Sequence, residues 1–180
     1  MIRRLACTYI TRGLTASIIS IYCSVIITAC SFQMSSKNLA PDFGIELFGN
    51  STNEKGQIVR LSDFEGQPIV LNFWYPSCAP CRLEMPHFEK AVKNPNNHRV
   101  KFLAVQVPSF DSPEEGQAFV DELGLTFSTG FVTEPQVIAK YQLIGWPSTV
   151  FISDKHEIVR TWGGALNVEK LDILIQELLD

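Results

Sequence analysis

Pro68-Ile69-Val70-Leu71-Asn72-Phe73-Trp74 runs directly into Tyr75-Pro76-Ser77-Cys78-Ala79-Pro80-Cys81-Arg82. The first part is a nearly unbroken apolar run of strand length, the pattern of a central strand covered on both faces. The second part opens a helix over about Ala79 to Lys93, in which Cys81, Met85, Phe88 and Val92 recur at the spacing of one face. Pro86 inside this helix predicts a kink. A Cys-x-x-Cys pair therefore falls where a buried strand feeds a helix. The start of a helix presents unsatisfied N–H groups and the positive end of its dipole, and both favour a thiolate on the first sulfur. Cys78 is thus the candidate nucleophile. Cys81, one turn further in and on the apolar face, is the candidate resolving thiol. Pro80, inside the first turn, removes a backbone donor at little cost.

Outward from this junction the pattern alternates. Phe43 to Phe48 and Ile58 to Leu61 read as short strands around a turn region from Gly49 to Gly56, and Ser62 is placed to cap a brief helical turn through Phe64. Val100 to Val107 reads as a second buried strand. Ser112-Pro113-Glu114-Glu115 is a helix start, with proline at the first position and acids in the first turn. A further helix is expected from Thr133, with Gln136 completing a capping box. Ser148 to Ser153 and Glu157 to Trp162 flank Asp154-Lys155-His156 as a hairpin, and Asn167 caps a last helix with Val168, Leu171, Leu174, Ile175 and Leu178 on its inner face. Strands and helices that alternate and end in a hairpin and a helix predict an α/β three-layer sandwich with a mixed sheet.

The N-terminus has a different composition. Residues 1–29 contain Arg3, Arg4 and Arg12 and no acid, so the formal charge of −4 for the 180-residue chain becomes −7 from residue 30 onward. That balance disfavours nucleic acid as a partner, because such affinity comes largely from cationic neutralisation of phosphates. The apolar run from Leu14 to Ala29 is interrupted by hydroxyl residues and falls short of the ~20 apolar residues of a bilayer span, which fits a signal-peptide core. It ends in Ile27-Thr28-Ala29-Cys30, small residues followed by cysteine, and this resembles the lipobox of bacterial lipoproteins. The expected organisation is a leader over residues 1–29, a lipid-anchored tether over 30–40 beginning at acylated Cys30, and one domain over 41–180. An uncleaved signal anchor is the alternative, and either arrangement puts the domain outside the cytosol, at a membrane surface. Of the five cysteines, Cys7 and Cys23 lie in the leader and Cys30 at the acylation point, so Cys78 and Cys81 alone remain in the domain. A bridge closing so short a loop removes little chain entropy, so this pair reads as reactive rather than structural.

From Ala40-Pro41-Asp42-Phe43 to the last helix the chain resembles the thioredoxin-like TlpA/ResA family of membrane-anchored extracytoplasmic thiol–disulfide oxidoreductases. Four ordered stretches carry the resemblance: Leu61-Ser62-Asp63-Phe64-Glu65-Gly66; Val70-Leu71-Asn72-Phe73-Trp74; Cys78-Ala79-Pro80-Cys81-Arg82 with Glu84-Met85-Pro86; and Gly145-Trp146-Pro147-Ser148-Thr149. It implies a thioredoxin-like fold with an N-terminal β-hairpin extension, and an αβ insertion in the interval of 66 residues between Cys81 and Pro147. It also implies a cis peptide bond before Pro147, facing the dithiol, and a redox-active disulfide between Cys78 and Cys81. Glu84 matches the family acid that manages the proton of the resolving thiol, and a partly buried carboxylate of raised pKa has the chemistry for that task. Trp74 and Trp146 are the candidate substrate-binding residues. Implied partners are client protein disulfides, often apocytochrome c thiols or copper-site cysteines, and a membrane thiol–disulfide electron donor. The domain reads as a monomer without cofactor.

The chain departs from the pattern at two points. Ser77 stands where thioredoxin relatives usually have tryptophan, and Trp146 is bulky for its place. Asn72 falls where ordinary thioredoxins carry a buried acid, so that acid is not at this chain's disposal. Arg82 reads as a solvated first-turn charge, with support of the Cys78 thiolate as the alternative, and His87, His98 and His156 as surface residues. A zinc site lacks its second ligand pair. Two rival functions are a peroxiredoxin and a Cu(I) chaperone with two soft thiolates. The first needs Thr or Ser three residues before its reactive cysteine and Pro four earlier. Counting back from Cys78 gives Tyr75 and Leu71, and from Cys81 it gives Cys78 and Trp74.

Overall fold

The computed structural model describes residues 38–108 and 110–180. The leader over residues 1–29, Cys30, and the tether as far as residue 37 lie outside the described residues. Seven strands form one sheet: β1 (Gly44–Leu47), β2 (Ile58–Arg60), β3 (Ile69–Trp74), β4 (Lys101–Gln106), β5 (Ser128–Val132), β6 (Ser148–Ile152) and β7 (Ile158–Gly163), in the order β2-β1-β5-β4-β3-β6-β7. The helices are α1 (Ala79–Val92), α2 (Pro113–Leu123), α3 (Val137–Lys140) and α4 (Val168–Leu179). β3, β4 and β5 are mutually parallel, while β1, β2, β6 and β7 pair antiparallel, so the sheet is mixed. This is the thioredoxin-like α/β arrangement, with an added N-terminal strand pair (β1 and β2) and with α2 and β5 between β4 and the Pro147 segment.

β3 lies inside the sheet, and every one of its six residues is buried. Its alternate side chains divide the core. Val70 and Trp74 join Met85, Phe88, Leu171 and Ile175 on one face, and Ile69, Leu71 and Phe73 join Phe43, Leu61, Val137 and Tyr141 on the other. The first face is covered by helices. The second is closed by the short α3, the 3-10 turn Leu61–Phe64 and the chain around Phe43.

Most helix ends follow the residues that predict them. Ser112 and Glu115 form a reciprocal capping box at the start of α2, Gly124 ends it with a left-handed backbone (φ 59), and the Asn167 side chain accepts from the Lys170 N–H at the start of α4. α1 runs unbroken through Pro86, whose side chain is on the exposed face. Two predicted caps are corrected. The 3-10 turn begins at Leu61, one residue before Ser62, and Asp63 accepts from the Arg60 N–H (2.7 Å). No helix starts at Thr133: Pro135 disfavours helical backbone at Glu134, so α3 is four residues long and Gln136 makes no cap. Glu134 turns instead to β1 and accepts from the Gly44 N–H (3.2 Å). β5 is an addition to the sequence reading. The folded chain also begins before residue 41: the Ala40 N–H donates to the His156 carbonyl (2.9 Å) and the Ile158 N–H to the Asn38 carbonyl (2.7 Å).

Candidate active site

β3 ends at Trp74, and three residues later Cys78 stands at the N-cap of α1 with Ala79 and Pro80 opening the helix. Proline there leaves no N–H unpaired, and the Cys81 N–H donates to the Cys78 Sγ (3.2 Å). The two sulfurs are bridged. Cys78 is 4% exposed and Cys81 is wholly buried, so the first cysteine alone touches solvent. That asymmetry follows from helix geometry, since the N-cap residue is at the rim and the residue one turn on faces the core.

Glu84 lies a further turn along, and 1% of it is exposed. Its carboxylate is nevertheless held at both oxygens. Oε1 accepts from Asn72 Nδ2 (2.8 Å) and Oε2 accepts from the Leu166 N–H (3.0 Å). Removal from water opposes charge more than these two donors favour it, and the Glu84 carboxyl is pushed up to about 7. Asn72 faces Thr149 across the β3–β6 ladder and also donates to its Oγ1 (3.0 Å). The buried polar position on the central strand therefore holds an amide, and the acid it serves comes from α1.

The Trp146–Pro147 peptide is cis. Pro147 is buried, its carbonyl accepts from the Gly164 N–H (2.8 Å), and Ser148 Oγ donates to the Gly145 carbonyl (2.7 Å), which fixes the turn into β6. Trp146 is half-buried. Its ring meets Tyr75 edge-on (6.2 Å between centroids) and Phe110 edge-on (6.1 Å), while Tyr75 and Phe110 stack at 4.3 Å. Trp74 does not join them. It is wholly buried, its ring lies 4.5 Å from Phe119 of α2, and it belongs to the core cluster that includes Cys78 and Cys81.

Arg82 keeps a solvent-exposed side chain at the helix start. It pairs with Glu122 and lies over the Phe119 ring (4.9 Å), which ties α1 to α2. Of the histidines expected at the surface, His98 is exposed, His87 is half-buried, and His156 is buried at the β6–β7 turn with φ 62. Its carbonyl accepts from the Ala40 N–H (2.9 Å).

Sequence reasoning alone does not bring Asp111 to the site. Asp111 Oδ2 accepts from both the N–H (2.8 Å) and the hydroxyl (2.9 Å) of Ser77, the residue before Cys78. Ser77 in place of tryptophan was the one available signal, since it puts a side-chain donor directly before the first cysteine. Among the described residues no group of three or more Cys, His, Asp or Glu has the arrangement of a metal site, and no helix is long and apolar enough to cross a membrane.

The family model described as AhpC/TSA matches residues 37–161. The thiol-disulfide oxidoreductase ResA of Oceanobacillus iheyensis is 28% identical over 170 residues, covering 91% of this chain and 86% of that protein. The protein of the same name from Halalkalibacterium halodurans is 33% identical over 119 residues, 66% of each. Among solved structures, a thiol:disulfide interchange protein of the thioredoxin family from Chlorobium tepidum superposes with a TM-score of 0.66 at 17% identity, over 81% of this chain and 99% of that one, a likeness of fold.

Proposed function

The chain belongs to the AhpC/TSA family of thioredoxin-like proteins, and from that premise we propose that it is an extracytoplasmic thiol–disulfide oxidoreductase that reduces disulfides in client proteins. The observation that carries the reading is the bridged Cys78–Cys81 pair at the start of α1, with the first sulfur at the rim and the second enclosed. In the reduced protein the Cys78 thiolate attacks one sulfur of a client disulfide and releases the other as a thiolate. Cys81 then gives its proton to the Glu84 carboxylate and attacks the Cys78 sulfur. The mixed disulfide breaks, the second client thiol leaves, and two electrons have passed from the chain to the client. Glu84 suits this step because its buried carboxyl, held near neutrality, takes up and returns a proton at physiological pH. Pro147 bounds the site, and the backbone beside it is offered to an incoming client strand.

Acylated Cys30 holds the domain at a membrane surface, and a membrane thiol–disulfide carrier returns the electrons. Apocytochrome c thiols and copper-site cysteines are the first clients to test. A peroxidase reading, which the family name invites, lacks its Thr or Ser three residues before the reactive cysteine and its Pro four earlier: Tyr75 and Leu71 occupy those positions before Cys78.

Trapping tests the exchange mechanism. With Cys81→Ser, mixed disulfides between Cys78 and clients accumulate on non-reducing gels and disappear with dithiothreitol, while Cys78→Ser captures nothing. Equal capture by both variants, or none by either while the wild type stays active, would overturn the assignment.

A further inference from the structure

Phe110 is 54% exposed and belongs to neither core cluster, so burying it contributes nothing to closing the fold. Yet its position is fixed. It stacks on Tyr75 and meets Trp146, and none of the three residues is fully buried. The rings come from three separate segments: the turn before Cys78, the loop between β4 and α2, and the residue before Pro147.

The next residue in that loop, Asp111, is latched to Ser77 through two hydrogen bonds, and the Asp111 and Ser112 carbonyls accept from the buried Gln106 Nε2 (2.9 and 3.0 Å). The loop is thus tied down at Asp111 and Ser112, directly after Phe110. Where this chain has no tryptophan directly before the first cysteine, it uses the small Ser77 to hold a neighbouring loop that supplies an aromatic ring instead.

We propose that the rings of Tyr75, Phe110 and Trp146, held in place by the Ser77–Asp111 latch, dock client polypeptides that carry an aromatic or bulky aliphatic side chain next to the reacting cysteine. The proposal rests on the oxidoreductase reading above. Its occupant follows from the site: with Cys78 only 4% exposed, a client cysteine reaches the sulfur only if the residues beside it lie on the rim, and here the rim is aromatic. An apolar side chain laid there leaves water and gains ring contacts, and a small or charged one gains neither.

The test uses the full-length protein, reduced and freed of reductant, in single turnovers. Two peptide disulfides are compared that are identical except for Phe or Ala beside the cysteine. Each turnover oxidises the Cys78–Cys81 dithiol and releases two peptide thiols, which are counted. The wild type is expected to prefer the Phe peptide by about tenfold in rate constant per concentration, the effect of one good aromatic contact. In Phe110→Ser, and separately in Asp111→Ala, the ratio is expected to fall towards one. Equal rates for both peptides in the wild type overturn the inference and leave the oxidoreductase reading standing. So does an unchanged preference in both variants, because the rings would then not be its source. Reduction of neither peptide overturns the reading beneath. Phe110 lies outside the core clusters, so its replacement is not expected to unfold the chain, and the Asp111 variant reports on the latch independently.

Discussion

Glu84 is the residue whose charge state the fold controls most directly. Its ordinary carboxyl value is 4.5, and burial against two donors raises it to about 7. The folded protein therefore holds a proton that the unfolded chain gives up. Below about pH 4.5 both states are protonated and the full contribution to stability is present. As pH rises through 7 that contribution is lost, and a shift of this size amounts to about 3 kcal/mol. The oxidised protein is therefore expected to become easier to unfold by denaturant between pH 4.5 and 8. In Glu84→Gln, which has nothing to ionise, the slope is expected to shrink, so the variant is the more stable protein at pH 8. Urea titrations at several pH values check this, and a variant that keeps the wild-type slope would assign it to another group. Asn72 Oδ1 has no partner beside this carboxylate, so the same amide has an acceptor to offer when position 84 carries a donor. That capacity is why an amide serves here where an acid would compete for the proton.

α2 shows how an element can be legible while its purpose is not. Its start follows from Ser112, Pro113 and the acids of its first turn, yet its docking depends on Gly116. A Cβ at that residue would come within 1.9 Å of Gln106 Oε1 and 2.5 Å of Phe48 Cζ. Glycine to alanine inside a helix normally stabilises by up to about 1 kcal/mol. Here the opposite sign is expected: Gly116→Ala should destabilise the protein by about 1–3 kcal/mol, because Gln106 is buried and its amide already holds the Asp111 and Ser112 carbonyls. Thermal unfolding of that variant decides between the two signs. β3, β4, α1 and α4 were readable for the same reason that they are stable, since their apolar residues repeat with one period. β5 was not readable, because Ser128, Thr129 and Gly130 are buried without being apolar, by strands on either side. The loop carrying Phe110 and Asp111 has no period at all, and its place is set by Ser77 and Gln106, which are distant in sequence.

Across the whole chain, the cysteine pair and its helix were recoverable because they are local, whereas the surroundings of the site are assembled from β3, α1, the loop after β4, the Pro147 turn and Leu166. The same long-range logic decides where the folded body begins. Composition ends the tether at residue 40, but polar sequence says nothing about backbone pairing, and Asn38 to Ala40 lie along the β6–β7 turn with Ala40 buried. Through Gly164 and the Pro147 carbonyl, that strand pair is joined to the cis-proline turn. Asn38 to Ala40 are thus fastened to the unit that carries Pro147. Ala40→Pro removes the N–H that donates to the His156 carbonyl and leaves that acceptor in a buried setting, a loss of about 1–3 kcal/mol. In a domain of this size that corresponds to a drop of about 3–10 °C in melting temperature. Leu39→Ala, at a side chain 55% exposed, is expected to melt with the wild type. A proline variant that also melts with the wild type would mean that Asn38 to Ala40 are not part of the folded body, which would then begin at Pro41.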